Sequence, residues 1–196
     1  VLHADETTLQ VLHEPGKAPQ SESYMWLYRT SGDTNKPIVL YEYQPGRGAK
    51  HPEAFLKGFK GYLHTDGYAG YHNLPEEITV VGCWAHARRK FDEAVRSLPK
   101  GKAKGSSASQ GLTYCNLLFR MEQEIADKTA EERYEERLKQ AKPVLDAMFA
   151  WANSRTAAPK SALGKALNYL KEQWPYLTNY LKDGRLELSN NRAERS

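Results

Sequence analysis

The sequence lacks the features that would place it in a membrane or in an oxidising compartment. Its longest apolar runs span only a few residues, which excludes a transmembrane helix. No signal-peptide pattern is present. The two cysteines, Cys83 and Cys115, are too few for a disulfide scaffold and are typical of a reducing cytoplasm. We therefore expect a cytoplasmic protein with no membrane partner.

The composition is that of a folded domain. The 196 residues are 40% hydrophobic and 27% charged, which supplies a core and excludes a disordered chain. This length fits one domain, or one domain with a sizeable insertion. No internal repeat, nucleotide-binding glycine loop or Ser-His-Asp arrangement is visible. Because the chain begins with Val1 and stops inside a predicted helix, we expect it to be a fragment of a longer protein.

The positive charge is unevenly distributed. The net charge of +4 is compatible with nucleic acid but is not specific for it. Residues 84–111 carry seven Lys or Arg against two acidic residues, whereas residues 121–140 carry seven Asp or Glu against four Lys or Arg. A basic segment beside an acidic helix favours one face for a polyanion, although solvated charge is the commoner explanation of either run alone.

Hydrophobic alternation and turn signals predict a mixed α/β sheet with helices on its faces. The five predicted strands cover residues 1–12, 23–31, 36–43, 62–66 and 77–83. The first three should form an antiparallel meander because their connections are short. The predicted helices cover residues 51–60, 84–98, 112–128, 130–153, 161–173 and 175–182, with a short one near Gly70 and a last one that opens at Ser189.

The second half of the chain is predicted to be an insertion in this sheet. Residues 99–111 are rich in Lys, Gly and Ser, which predicts a mobile linker, and Pro143 should kink the helix that contains it. The chain returns to the sheet only at its end, with a brief extended piece at 186–188. We therefore predict a core of residues 1–98, a helical insertion of residues 99–184, and a return to the core over residues 185–196.

Three carboxylates occupy positions where α/β sheets place their chemistry. Asp66 ends a predicted strand directly before Gly67, Asp5 lies on the first strand, and Glu194 lies in the first turn of the last helix. Pairing of the first and fourth strands would put Asp5 beside Asp66. Crowded carboxylates raise one another's pKa unless a cation neutralises them, and hard oxygen ligands suit Mg²⁺ or Mn²⁺. Two such ions about 3.5–4 Å apart would support an in-line displacement at phosphorus.

Each carboxylate also has a simpler explanation. Asp66 fits an ordinary Asp-Gly turn, and Asn191 followed by Glu194 resembles a capping box, in which the glutamate only closes the helix. Glu6 and Glu187 are the nearest rivals for the acidic roles.

Four motifs in order make the sequence resemble the catalytic domain of the insertion-sequence-66 family of bacterial transposases. The motifs are His3-Ala-Asp5-Glu-Thr, His64-Thr-Asp66-Gly-Tyr-Ala-Gly-Tyr71, Cys83-Trp-Ala-His86-Ala-Arg-Arg-Lys-Phe91 and Ser189-Asn-Asn-Arg-Ala-Glu194-Arg.

The resemblance implies a ribonuclease H-like fold, a DDE triad, and DNA cleavage and strand transfer that depend on Mg²⁺ or Mn²⁺. The catalytic and metal-binding residues carried over are Asp5, Asp66 and Glu194. The last two are 128 residues apart in sequence, so the helical block would be the insertion that some transposases carry there. The implied partners are transposon ends, target DNA and further copies of the chain.

Basic side chains beside these motifs are candidate DNA contacts. Arg88, Arg89 and Lys90 are predicted to contact the DNA backbone as a group, although one or two must point elsewhere on a helix. Arg192 and Arg195 flank the glutamate of the last motif, where they either hold a phosphate or pair with carboxylates.

Other residues of the motifs allow two interpretations each. His86 either contacts a phosphate or packs, and its spacing from Cys83 is that of a zinc pair, although no second close pair completes four ligands. Tyr68 and Tyr71 either stack on a base or pack in the core. Two other functions stay open: a nuclease of the same fold that does not join strands, and an inactive DNA-binding remnant of a transposase.

Overall fold

The computed structural model describes all residues from 1 to 196. Contacts divide the chain into two compact units, Val1–Val81 with Asn190–Ser196, and Gly82–Ser189. The first unit contains one sheet of five strands. The strands are β1 (Leu2–Gln10), β2 (Glu22–Thr30), β3 (Val39–Gln44), β4 (Gly61–His64) and β5 (Ile78–Val81). None of the helices in either unit combines the length and the apolarity that crossing a membrane requires.

The sheet is mixed, with the strand order β3-β2-β1-β4-β5. β1 pairs antiparallel with β2, and β2 pairs antiparallel with β3, so the predicted meander is confirmed. β4 runs parallel to both β1 and β5. The predicted α/β class with a mixed five-stranded sheet is therefore confirmed, and the arrangement is compatible with a ribonuclease H-like fold.

Alternation along the strands sends one set of side chains into the core of the first unit. Ala4, Trp26 and Tyr28 share that core with Leu63 and Tyr71. It is covered by α1 (Lys50–Phe55), whose last residue stacks on a tyrosine ring of β2 at 3.7 Å. The opposite face of the sheet contacts the short helix α7 (Asn191–Glu194). Helices therefore flank both faces.

Helix α1 ends earlier than predicted. The periodicity suggested a helix as far as residue 60, but the helix stops at Phe55 and the chain turns through Gly58, whose φ is +84°. A positive φ favours glycine and is incompatible with a continuing helix. The short helix predicted near Gly70 is a 3₁₀ turn, Ala69–Tyr71.

The second unit is entirely helical. Its helices are α2 (Trp84–Arg96), α3 (Ser107–Glu124), α4 (Ala130–Glu136), α5 (Lys142–Asn153) and α6 (Ala162–Leu177). Aromatic side chains hold them together. Phe91 of α2 packs on Trp151 of α5, and the indole of Trp84 donates a hydrogen bond of 2.9 Å to the carbonyl of Leu177.

Two local predictions in the second unit are wrong. The predicted linker reaches residue 111, but α3 begins at Ser107 because the Ser106 hydroxyl caps it by accepting from the Ser109 N–H. Pro175 does not separate two helices, since it lies inside α6, which a 3₁₀ turn (Thr178–Lys182) follows. Residues 186–188 belong to neither a helix nor a strand.

The break expected near Pro143 is confirmed. A π-helical turn, Arg137–Ala141, separates α4 from α5 directly before the proline. The interpretation of residues 99–184 as an insertion concerns ancestry rather than contacts and stays a prediction.

Candidate active site

The pairing of β1 with β4 places Asp5 and Asp66 at matching positions. Leu2 lies opposite Leu63, and His3 lies opposite His64. Each carboxylate follows its histidine by two residues, so Asp5, in the first half of β1, lies level with Asp66, two residues beyond the end of β4. Pairing of β1 with β4, which was the condition for placing Asp5 beside Asp66, is therefore confirmed.

Local hydrogen bonds orient both carboxylates. The Tyr68 N–H donates to Asp66 Oδ1 at 2.8 Å across a turn in which Gly67 has a φ of +96°. The Glu6 N–H donates to Asp5 Oδ1 at 3.0 Å. Asp66 is therefore more than an Asp-Gly turn signal, because its side chain closes the turn next to a second carboxylate.

Glu194 approaches the same place from α7. A cavity of about 260 Å³ is lined by Asp5, Glu6, Thr7, Met25, Leu27, Tyr41, Ala193, Glu194 and Ser196. Burial, and then the negative charge of Asp66, raises the pKa of Asp5 to about 7, with smaller contributions from the charges of Glu6 and Glu194. The three predicted acids thus act on one another electrostatically.

Asn190 anchors α7 to the sheet. Its side-chain N–H₂ donates to the carbonyl of Ala4 at 2.9 Å, which leaves its oxygen facing His3 Nδ1, also at 2.9 Å. Arg29 adds a second anchor by donating to the carbonyl of Arg192 at 3.0 Å. The capping-box interpretation of Glu194 is wrong, because Asn190 is the N-cap residue and no side chain caps this helix.

Two stacked histidines, His3 and His64, each precede one of the carboxylates by two residues in the sequence. The rings of His3 and His64 are both fully buried, with centroids 4.6 Å apart and planes 9° from parallel. Since Asn190 presents an oxygen, His3 carries its proton on Nδ1, and Nε2 accepts from the Ser31 hydroxyl at 3.4 Å. Sequence reasoning missed the supporting roles of these two histidines, Ser31 and Asn190. Three of the four, His3, His64 and Asn190, belong to the motifs that carry the resemblance.

We expect Asn190→Ala to destabilise the protein by about 2–4 kcal/mol. The change leaves a buried histidine N–H and a buried backbone carbonyl without their partners and releases α7. Urea unfolding would measure the loss, with the exposed Asn73→Ala as the matched control. An Asn190→Ala variant as stable as the wild type would show that other contacts hold α7.

Glu6 is not equivalent to Asp5. Alternation turns it to the opposite face of β1, where Arg47 donates to Oε1 from Nε at 2.8 Å and the Tyr71 hydroxyl donates to Oε2 at 2.8 Å. The Arg47 guanidinium also lies 4.0 Å from the centroid of the Tyr68 ring. Burial and the charge of Asp66 raise the pKa of Glu6 despite these partners. Glu6 is therefore paired with a cation of the protein itself.

Position and burial distinguish the remaining candidates for the acidic and base-stacking roles. Glu187 belongs to the second unit. Tyr71 is fully buried, so it packs in the core rather than stacking on a base. Cys83 is also buried.

The predicted DNA contacts occupy two separate elements. His86, Arg88, Arg89 and Lys90 lie on α2. Arg88 and Arg89 are exposed, and the Arg88 Nε also donates to Asn116 Oδ1 at 2.6 Å.

Lys90 places its ammonium 4.9 Å from the centroid of the Tyr169 ring. Arg192 and Arg195 lie at α7, where the Arg192 guanidinium packs so tightly on Gly32 that a Cβ there would meet Nη2 at 2.5 Å. The arginines of α7 thus belong to the unit that carries the carboxylates, and those of α2 to the other unit.

Comparison with known proteins gives one consistent result. The model of the Transposase IS66 family matches residues 1–196. Uncharacterized protein y4qI of Sinorhizobium fredii is 33% identical over 210 residues, which cover 100% of this chain and 38% of that protein. Uncharacterized protein y4hP of the same organism is 31% identical over 214 residues, with the same two shares. The chain thus spans well under half of these relatives, and no solved structure matches it. The chain belongs to the IS66 family of transposases.

Proposed function

We propose that this chain is the catalytic domain of a DNA transposase, in which Asp5, Asp66 and Glu194 form a DDE triad for strand cleavage and strand transfer. The observation that carries the proposal is the register of β1 and β4, which places Asp5 of β1 level with Asp66, directly after β4. Glu194 lines the same cavity as Asp5. Family membership supports a role in transposition, and the chemistry is our inference from these side chains.

The donor set fits two Mg²⁺ or Mn²⁺ ions. All three side chains offer carboxylate oxygens, the ligands that these hard cations prefer. Burial, and then the negative charges of Asp66, Glu6 and Glu194, raise the pKa of Asp5. Bound divalent ions would keep Asp5 ionised, activate a water or a 3′-hydroxyl, and stabilise the leaving oxygen of the displacement.

The protein's own contribution is to hold the three carboxylates rigidly. Asp5 is fixed on a strand within the sheet, and Asp66 is fixed by the hydrogen bond from the Tyr68 N–H. Glu194 depends on α7, which Asn190 anchors to β1. Sites built on such supported elements keep their geometry better than sites on free loops.

The basic residues would contact DNA phosphates. Arg88 and Arg89 are exposed on α2, and Arg192 and Arg195 flank Glu194. We propose that these side chains, with His86 and Lys90, hold the backbone of the transposon end or of the target. Several copies of the chain would act together on paired ends.

Anomalous diffraction from a crystal soaked in Mn²⁺ would test the metal site directly. We expect peaks against the carboxylates of Asp5 and Asp66, with Glu194 within reach, and no such peaks in crystals of Asp5→Asn. Glu76→Gln, which removes an exposed carboxylate of the same unit, should leave the peaks unchanged. Manganese bound only away from Asp5 and Asp66 would contradict the triad and the mechanism with it.

A further inference from the structure

β3 exposes an unusual amount of aromatic surface. It is an edge strand of the sheet, and the side chains of Tyr41 and Tyr43 are 58% and 42% exposed. Large exposed side chains of this kind mark interaction sites when they form a continuous patch. The triad does not use either tyrosine.

These tyrosines lie on the face of the sheet that carries Asp5. Asp5 pairs with Leu27, and Leu27 pairs with Tyr41, so the three side chains form one row across β1, β2 and β3. Residues directly opposite one another project to the same face. Tyr41 also lines the cavity that contains Asp5 and Glu194. Two strand spacings separate the backbones of Asp5 and Tyr41, a distance of about 10 Å.

The next row continues the patch along the strands. Thr7 pairs with Met25, and Met25 pairs with Tyr43. Ser23 and Glu14 lie beside the Tyr43 hydroxyl. The patch therefore combines Tyr43, a methionine and the more exposed Tyr41.

Positive charge borders this aromatic patch. Arg29 lies two residues beyond Leu27 on the same face and donates to the carbonyl of Arg192 at 3.0 Å. Arg195 is exposed on the same short helix, α7. Aromatic rings beside arginines are the combination that binds single-stranded nucleic acid, since rings stack on bases and arginines attract phosphates.

We propose that Tyr41 and Tyr43 stack on unpaired bases of the DNA strand whose phosphate lies at Asp5. The inference rests on the proposed function, because it uses the carboxylate cavity to place the strand. Bases within a duplex stack on one another, so an exposed tyrosine reaches a base face only where the strand is unpaired. The row from Tyr41 to Asp5 ends in the cavity, which favours a DNA strand over a second copy of the chain as its occupant.

Fluorescence anisotropy with a labelled oligo-dT strand and a labelled duplex would test this surface. The titrations are made with the full chain in EDTA, so that neither metal nor cleavage contributes. We expect Tyr41→Ala to bind the single strand about tenfold more weakly, and Tyr43→Ala to show a smaller loss, with little change in duplex binding. Tyr41→Phe should keep wild-type affinity because the ring, not the hydroxyl, does the stacking.

Two controls separate stacking from general effects. Leu40→Ala removes an exposed side chain from the opposite face of the same strand, and Tyr134→Ala removes an exposed tyrosine from α4. Both should bind the single strand as the wild type does. An equal loss for Leu40→Ala, or none for Tyr41→Ala, would overturn the proposal.

Two further outcomes are distinguishable. If Tyr41→Ala converts a dimer into a monomer in sedimentation and leaves DNA binding unchanged, the patch is a contact between copies and the proposal is overturned. Glu76→Gln, which removes an exposed carboxylate outside the cavity, should keep the single-strand affinity of the wild type. A tyrosine-dependent affinity in a protein that never cleaves DNA would support this surface and contradict the proposed function alone.

Discussion

Asp66→Asn should reduce DNA cleavage and strand transfer by at least about 10³-fold. Asparagine keeps the size of the side chain and the oxygen that accepts from the Tyr68 N–H, so the turn is preserved. It removes one of the negative charges that would hold the divalent ions. The assay uses the 196-residue chain with labelled transposon-end DNA and Mg²⁺ or Mn²⁺, and follows both cleaved and joined products.

The matched control removes the same charge elsewhere in the same unit. Glu76→Gln replaces an exposed carboxylate and should leave both products unchanged. Wild-type cleavage by Asp66→Asn would refute the triad. A wild type that cleaves but cannot join pre-cleaved ends would be a nuclease, and one that binds DNA without turnover would be a transposase remnant.

The pKa of Asp5 tests how close the carboxylates lie to one another, and its measurement does not require an active enzyme. In the metal-free protein, burial and the charge of Asp66 raise this pKa to about 7. Asp66→Asn removes a negative neighbour, so the pKa of Asp5 should fall, while burial keeps it above its ordinary value. NMR titration of the Asp5 carboxyl would measure the change. An unchanged pKa would show that the two carboxylates are not close enough to interact.

The sheet and two of the acids could be predicted because they depend on local patterns. Alternation marks β1, and a short apolar run followed by Asp66-Gly67 marks the end of β4. Pairing of these two strands was a condition of the sequence argument; the structure shows it, and it places Asp5 beside Asp66.

The support of the third acid could not be predicted in this way. Asn190 looked like part of a helix start, and sequence reasoning assigned the cap to its neighbour. Its amide instead reaches across 186 residues of sequence to Ala4. Such long-range hydrogen bonds leave no periodic signal. For the same reason the alternation of β1 does not reveal that Glu6 is paired with Arg47, whereas Asp5 faces other carboxylates.

The acidic segment of residues 121–140 shows that a count of charged residues does not reveal which charges are buried. Its surplus of Asp and Glu is most simply interpreted as solvated charge. In the second unit, however, Arg137 of that segment has a fully buried side chain, held by Glu122 of α3. A buried pair and a solvated pair have the same residue composition, and only packing separates them.

Arg137 satisfies every donor of its guanidinium. Nε and Nη2 donate to the two oxygens of Glu122 at 2.8 and 2.6 Å. Nη1 donates to the carbonyls of Tyr180 and Asp183 at 3.1 and 3.0 Å, and Nη2 also donates to that of Leu186 at 2.7 Å. Arginine carries five N–H donors in a planar fork, and all of them are used. One side chain thus joins α3, the π-helical turn and the segment after α6.

Arg137→Met should therefore lower the free energy of unfolding by about 3–5 kcal/mol. Methionine fills much of the volume but removes the two short hydrogen bonds to Glu122 and the donor to the Tyr180 carbonyl, and it leaves Glu122 and the Leu186 carbonyl only their longer contacts with Arg133. Arg137→Lys should restore little, because one ammonium cannot reproduce the bidentate contact. Urea unfolding of the 196-residue chain would measure these losses. Arg120→Met, which breaks an exposed pair with Glu124 on α3, should cost less than about 1 kcal/mol.

Removing both charges distinguishes a buried ion pair from a side chain that only fills space. Arg137→Met leaves Glu122 only its longer ion pair with Arg133, so adding Glu122→Leu should recover part of the lost stability. Recovery stays incomplete because the carbonyls of Tyr180, Asp183 and Leu186 still lack the hydrogen bonds from Arg137. If the double variant is instead less stable than Arg137→Met by the full cost of Glu122→Leu alone, the two side chains act independently. The pair would then not be what holds these segments together.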